Sequence, residues 1–279
     1  MTEKTFKTLS EFIEANLGIR MPPSKRIMLE ARLSKRVRTL GLPDHDAYCE
    51  YVFSDAGFDR EVQQLIDAVT TNETDFFREP HHFDLLTNKV LPELAAGHNT
   101  LELNVWSVAA STGQESYTLA MVLEEFARTS RVDMRYRILG TDISEKVLRV
   151  AETGIYTERQ AAKIPQAYKR LYCLRSRNSE DSTVRIRPEL RARTSFRQLN
   201  LMDDSYAIKR QYQIVFCRNV FIYFDRPTQR KVLGRIYSHL APGGYLFMGH
   251  SENIGSSDLA LKSVSSAVYR KADNGEVDT

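Results

Sequence analysis

The stretch VWSVAASTGQESY (105–117) decides how the rest of the chain is read. A run of apolar, strand-forming residues gives way to Ala109, Ala110, Ser111, Thr112 and Gly113, and a helical pattern opens directly behind them. This is a strand-to-helix turn built from small side chains. Small side chains let a ligand come close to the backbone, and the start of the helix offers N–H groups that lack partners within it. The turn is not GxGxxG, so the dinucleotide fingerprint is absent, and it has no GK[ST] for a phosphate-binding loop. Taken alone, the stretch is equally compatible with a tight turn that binds nothing.

Outward from this turn, strands read at LELNVWSV (101–108), RYRILGTDIS (135–144), TSFRQLNL (194–201), YQIVFCRN (212–219), GGYLFMGH (243–250) and SAVYRKA (266–272). Helical patterns alternate with them, which predicts an α/β fold with a doubly wound parallel sheet. Ligands of such sheets bind at the carboxyl ends of the strands. Residues 5–69 read instead as four short helices. Phe6, Leu9, Phe12, Ile13 and Leu17 recur at helical spacing, Thr8 and Glu11 match a capping box, and Gly18 is a stop. A second helix carries Leu29, Leu33, Val37 and Leu40 up to Gly41 and Pro43; Asp44 caps a third; a fourth carries Val62, Leu65, Ile66 and Val69. The expected division is a small all-α domain over 1–80 and the α/β domain over 81–279. Residues 156–193 break the alternation with a polar, Arg-rich stretch. They read as an inserted subdomain, a helix plus a hairpin around SRNSEDST (176–183).

The 279 residues carry 39 Lys+Arg against 36 Asp+Glu, a net charge of +3, too small for a general nucleic-acid binder. A 42% hydrophobic and 27% charged composition is that of a globular protein rather than a disordered one. No apolar run is long enough to span a membrane, and MTEKTFKTLSEF lacks the core of a secretory signal. Cys49, Cys173 and Cys217 are odd in number and show no CxxC spacing, which argues against a disulfide framework or a cysteine zinc site and fits a reducing cytoplasm.

Four further features bear on chemistry. Asp142, just past the strand RILG, can accept hydrogen bonds from both hydroxyls of a ribose, or can cap the helix near Glu145. In TTNETDFFREPHHF (70–83), Asn72 and Thr74 are short polar groups beside a Phe pair, and Arg78 can grip a carboxylate with two hydrogen bonds. Adjacent His81 and His82 point apart on a helix and lack an obvious third ligand, so no metal is expected. IVFCRNVFIYFD (214–225) is a buried strand that ends in polar Arg218, Asn219 and, further on, Tyr223. Lys25, Arg32 and Arg36 are seven and eleven residues apart and share one helical stripe, suited to an acidic partner or to plain solvation. Arg185, Arg187, Arg191, Arg193 and Arg197 form a second basic cluster beside the insertion.

TTNETDFFRE, VWSVAASTGQESY, GTDIS, NLMD, FCRNVFIYFD and GGYLFMGHSE, in this order behind a small helical domain, resemble the chemotaxis-receptor methyltransferases of CheR type over nearly the whole chain. The resemblance implies a Rossmann-like methyltransferase sheet and an S-adenosylmethionine-dependent protein-glutamate O-methyltransferase, with S-adenosylhomocysteine as product. By motif, Asn72, Thr74 and Arg78 would meet the methionine end of the cofactor or hold the domain junction over it. Glu115 matches a cofactor-binding glutamate, Asp142 would bind the ribose, and Asn200 and Leu201 would flank the adenine. Arg218 and Asn219 would line the pocket near the reacting group, and Tyr223 would stand next to the methyl-transfer site, making Tyr223 and Arg218 the expected catalytic pair. Lys25, Arg32 and Arg36 would dock the acidic cytoplasmic helices of the receptor. The insertion, in some members, grips a receptor tail peptide. No nucleic acid and no membrane insertion are expected. The family turn resembles STGEEPYS, from which this chain departs at Gln114 and Ser116.

Overall fold

The computed structural model describes residues 1–130, 132–176, 182–252, 254 and 258–273. Four helices open the chain: α1 (Glu3–Leu17), α2 (Arg26–Thr39), α3 (His45–Val52) and α4 (Phe58–Val69). The start of α1 lies further upstream than the Thr8/Glu11 pattern suggests. Thr2 is its cap, accepting from the Thr5 amide at 3.2 Å, while the Thr8 hydroxyl donates to the Lys4 carbonyl one turn back. Asp44 caps α3 through the amides of Asp46 and Ala47, both at 2.9 Å. The apolar stripes meet in one core that includes Leu9, Ile13, Leu29, Leu33, Tyr48, Val52 and Leu65.

Arg36 turns into that core rather than out to a partner. Its guanidinium grips the buried Glu61 carboxylate from α4 through Nε at 2.7 Å and Nη2 at 2.8 Å, and the Tyr48 hydroxyl donates to the same carboxylate at 3.1 Å. Helical spacing had grouped Arg36 with Lys25 and Arg32 because it reports which side chains share a face. It does not report whether another helix has taken one of them.

Beyond the junction, α5 (His81–Leu85) and α6 (Leu91–Ala95) lead into the sheet. Then follow β1 (Thr100–Ser107), α7 (Gln114–Thr129), β2 (Asp133–Asp142), α8 (Glu145–Thr153), β3 (Ile155–Thr157), α9 (Gln166–Tyr172), β4 (Cys173–Arg175), β5 (Thr183–Ile186), α10 (Pro188–Ala192) and β6 (Thr194–Gln198). The chain closes with β7 (Tyr212–Cys217), α11 (Arg226–His239), β8 (Leu240–Met248), β9 (Leu261–Ser265) and β10 (Val268–Lys271).

The main sheet runs β6-β2-β1-β7-β8-β10-β9. The first five are parallel, as the alternation predicts, and β10 pairs antiparallel with both β8 and β9. Strand β9, absent from the sequence reading, is a short edge strand. Its residues are mostly exposed, so it has no apolar alternation to reveal it. The strand order reverses between β1 and β7, which opens a crevice at their carboxyl ends. The insertion forms its own antiparallel sheet, β3-β5-β4, braced by α9. The expected hairpin is the β4–β5 pair; residues 177–181 of its tip lie outside the described residues.

Breaking the Arg36–Glu61 pair leaves a buried charge alone. Arg36→Ala is expected to lower the unfolding free energy by about 3 kcal/mol, toward the low end for such pairs because the arginine is partly exposed. Urea denaturation checks this.

Candidate active site

The crevice at the strand ends is closed from above by the helical domain. Met21, Lys25 and Arg32 line one wall, while the other is built from the turns after β1, β2, β6 and β7. Hydrogen bonds across the domains and within the junction hold the roof in place, among them Gln198 Nε2 donating to Gln63 Oε1 at 2.7 Å. The Arg20 amide donates to the Tyr223 carbonyl at 3.0 Å, Asn200 Nδ2 donates to the Asn16 carbonyl at 2.8 Å, and the Arg32 guanidinium reaches Thr71 Oγ1 at 2.7 Å. Gly18, at φ +68°, packs so closely on Met202 and Phe224 that a Cβ there would sit 2.7 Å from the Met202 sulfur.

The turn after β1 carries the first acid. Gly113 takes φ +91° and opens α7, and a Cβ on it would meet Ala151 at 2.8 Å. Glu115 therefore falls in the first turn of α7, where the helix dipole favours an anion. Its Oε1 accepts from the Ser107 hydroxyl at 2.7 Å, and its Oε2 lies 3.3 Å from Arg218 Nη1. Burial pushes the Glu115 carboxyl up, and Arg218 and Ser107 offset part of that. Gln114 is buried and accepts from Thr112 Oγ1 at 2.7 Å, which closes the turn in the absence of the family's glutamate. Ser116 is buried with no partner for its hydroxyl, so the second departure adds nothing visible to the turn.

Asp142 ends β2. Its Oδ2 accepts from the Ser111 amide at 2.9 Å and its Oδ1 from the Ser144 amide at 3.0 Å. Ser144, not Asp142, caps α8. Burial raises the Asp142 carboxyl, offset in part by those amides. The carboxylate oxygens, which also accept from the Ile143 amide, retain acceptor capacity, and Asp142 lines the crevice.

Asn72, Thr74 and Arg78 come in from the junction. The Asn72 carbonyl accepts from Ser111 Oγ at 2.8 Å, Arg78 Nη1 donates to the Glu73 carbonyl at 2.8 Å, and Thr74 lines the crevice beside them. The Phe pair anchors this segment. Phe76 packs edge-on against Tyr156 of the insertion at 4.9 Å, and the Phe77 amide donates to Thr118 Oγ1 at 3.1 Å. Asn200 and Leu201 lie just past the end of β6, which stops at Gln198, and both line the crevice. Lys25 and Arg32 line it as well, whereas Arg36 does not.

After β7, Arg218 is buried and bonded through both outer nitrogens, while its Nε has no hydrogen-bond partner. Nη2 donates to the Arg78 carbonyl at 2.6 Å and lies 3.2 Å from Glu79; Nη1 faces Glu115. Asn219 takes φ +59°, and its Nδ2 donates to Glu79 Oε1 at 3.2 Å. Tyr223 ends a short 3-10 turn, Phe221–Tyr223, on the crevice rim.

Glu79 and Glu252 also belong to the site without standing out in the sequence, although they close the motifs FFRE and GHSE. Burial alone would raise the Glu79 carboxyl, but Arg218, Asn219 and the His250 amide together hold it below the usual range. Glu79, His81 and His82 bring ligand atoms within 4.8 Å of one another. A divalent ion there would have to compete with Arg218 for Glu79. His82 is fully buried with no hydrogen bond to either ring nitrogen, although Nδ1 lies 3.4 Å from Glu79 Oε2, and burial pushes it down to about 3.

The residues fit a sulfonium nucleoside. Glu115 offers a buried acid to an ammonium, Asp142 offers free lone pairs to a diol, and the small turn residues leave space between them. With the order of the parallel strands, the site defines an S-adenosylmethionine-dependent methyltransferase of Rossmann-like fold. Residues 72–270 match the family described as "CheR methyltransferase, SAM binding domain", and residues 4–70 match "CheR methyltransferase, all-alpha domain". The chain belongs to the CheR methyltransferase family. It is 34% identical to a chemotaxis protein methyltransferase of Borreliella burgdorferi, over 97% of this chain and 95% of that one. It is 39% identical to one from Klebsiella aerogenes over 94% and 88%, and 37% identical to one from Escherichia coli over 91% and 85%. Among the described residues no helix is long and apolar enough to cross a membrane.

The neutral, buried His82 makes a pH prediction. Its folded value lies below the unfolded value of about 6.5, so the unfolded chain takes up the proton first as pH falls. Stability is therefore unaffected above about pH 6.5 and is lost between there and pH 3. From pH 7.5 to 5.5 the loss from this group is about 1.4 kcal/mol, and His82→Phe is expected to remove it; denaturation at the two pH values measures the difference.

Proposed function

We propose that the crevice transfers the methyl group of S-adenosylmethionine to glutamate carboxylates on the acidic cytoplasmic helices of chemotaxis receptors, forming glutamate methyl esters. One observation carries this reading: a single crevice is walled by the cofactor-type acids Glu115 and Asp142 and also by Lys25 and Arg32 of the helical domain. The cofactor-binding half and the partner-facing half thus share one opening.

Bound there, the cofactor supplies an electrophilic methyl group on a positively charged sulfur. Glu115 would hold its amino group and Asp142 its ribose, Asn200 and Leu201 would flank the base, and Asn72, Thr74 and Arg78 would close the junction over it. A glutamate side chain with a pKa near 4.3 is already ionised at neutral pH, so the chain needs no general base. Its task is alignment, which is worth roughly 7–11 kcal/mol in favourable cases. Tyr223 on the rim orients the incoming carboxylate. Arg218 acts one step back: its outer nitrogens bind Glu79, Glu115 and the Arg78 carbonyl, so it holds Glu115 in place and offsets part of the rise that burial imposes on that carboxyl. A strong arginine pairing to the substrate carboxylate would blunt its nucleophilicity, and this commitment avoids that.

Lys25 and Arg32 face the acidic receptor helix by charge complementarity, a contribution that salt weakens. The insertion, with β3 and β4 as open edges, is where a receptor tail peptide would add.

Incubation with labelled cofactor and receptor-enriched membranes should yield label that alkali releases as methanol; alkali-stable label would overturn the carboxylate assignment. Asp142→Ala should abolish cofactor binding in calorimetry. Tyr223→Phe should retain binding and lose turnover. The reversal Lys25→Glu should cut receptor methylation at low salt by about threefold or more with cofactor affinity intact, and unchanged initial rates would remove this residue from docking.

A further inference from the structure

We infer that Glu252 is a positioning residue for methyl transfer, acting through the backbone of the turn that carries Asn219 and Tyr223. The inference rests on the proposed reading of the crevice. Glu252 lies in the turn after β8, and β7 and β8 are parallel neighbours, so their carboxyl-end turns lie side by side. The Glu252 side chain is buried and reaches across to the turn after β7. Oε2 accepts from the amides of Asn219 and Gly249, both at 2.7 Å, and Oε1 accepts from those of Phe221 at 2.7 Å and Ile222 at 3.3 Å. Among the described residues no cation pairs with it. Among the described residues its side-chain hydrogen-bond partners are four backbone amides from two turns.

That arrangement does two things. It clamps Asn219 at its left-handed φ of +59°, the conformation that sends Asn219 Nδ2 to Glu79 and so toward Arg218. It also fixes the first two residues of the Phe221–Tyr223 turn, which sets where the Tyr223 side chain stands. Gly249 completes the clamp from the other side. A Cβ there would sit 2.5 Å from Glu252 Oε2 and 2.9 Å from the Asn219 amide nitrogen, so only glycine lets the carboxylate close on both turns.

Each carboxylate oxygen faces two N–H donors, so Glu252→Gln must turn its NH2 against one of the two pairs. Gly249→Ala displaces the carboxylate without changing it. For both variants the expected result is a kcat about 100-fold lower, the scale of an ångström-sized misplacement. The Kd for S-adenosylhomocysteine by calorimetry and the KM for receptor should stay within about threefold. Glu115 and Asp142, which hold the cofactor, belong to other turns. A purely structural role would not separate kcat from binding in this way. A kcat within twofold of wild type overturns the inference, as does a product Kd that rises as far as kcat falls. If Glu252→Gln does not fold, Gly249→Ala alone decides by the same two readouts. A wild-type protein that binds the product but methylates no receptor would overturn the reading of the crevice; active wild type with unaffected variants overturns only the role of Glu252.

Discussion

The site depends on one buried guanidinium. Arg218 is almost wholly removed from water, and a charge in that position is tolerable only when its partners are close and well aimed. Its partners are Glu79 from the junction, Glu115 from the first turn of α7, and the Arg78 carbonyl. Three segments, at residues 78–79, 115 and 218, are thereby held at one point. The crevice keeps its shape because none of them can leave without exposing the charge of another. Removal of any one acid would strand the arginine, so the residues of this cluster should respond to mutation together rather than additively.

The backbone around that charge is strained. Phe77, Glu79, Ser111 and Asn219 all adopt positive φ without being glycine, and each lies on the junction or on a strand-end turn of the crevice. Such conformations cost on the order of 1–3 kcal/mol each and persist only where the surroundings over-determine them. Here the surroundings are the Arg218 cluster, the Asp142 carboxylate on the Ser111 amide, and the Glu252 carboxylate on the Asn219 amide. The acids of this site therefore shape backbone as much as they offer charge. The helical domain likewise divides its basic residues between two tasks. Arg36 is spent inside on Glu61, whereas Lys25 and Arg32 line the crevice, Arg32 with its guanidinium bonded to the Val69 carbonyl and Thr71 Oγ1.

Much was legible in the chain itself. The parallel order of the main strands follows from the alternation of periods two and 3.6, and the small turn at 109–113 marks the crevice because only small residues allow close approach there. Glu115, Asp142, Asn200, Leu201, Arg218, Asn219 and Tyr223 reach that one crevice because strand-end turns of a parallel sheet share an edge, and Asn72, Thr74 and Arg78 reach it from the junction. Local patterns determine elements, and parallel topology determines which of their ends meet. What tertiary structure alone decided is the pairing of charges. No spacing rule links Arg36 to Glu61, Glu79 to Arg218, or Glu252 to the amide of Asn219. These contacts form across elements, where a buried charge selects whichever partner the packing brings within about 3 Å.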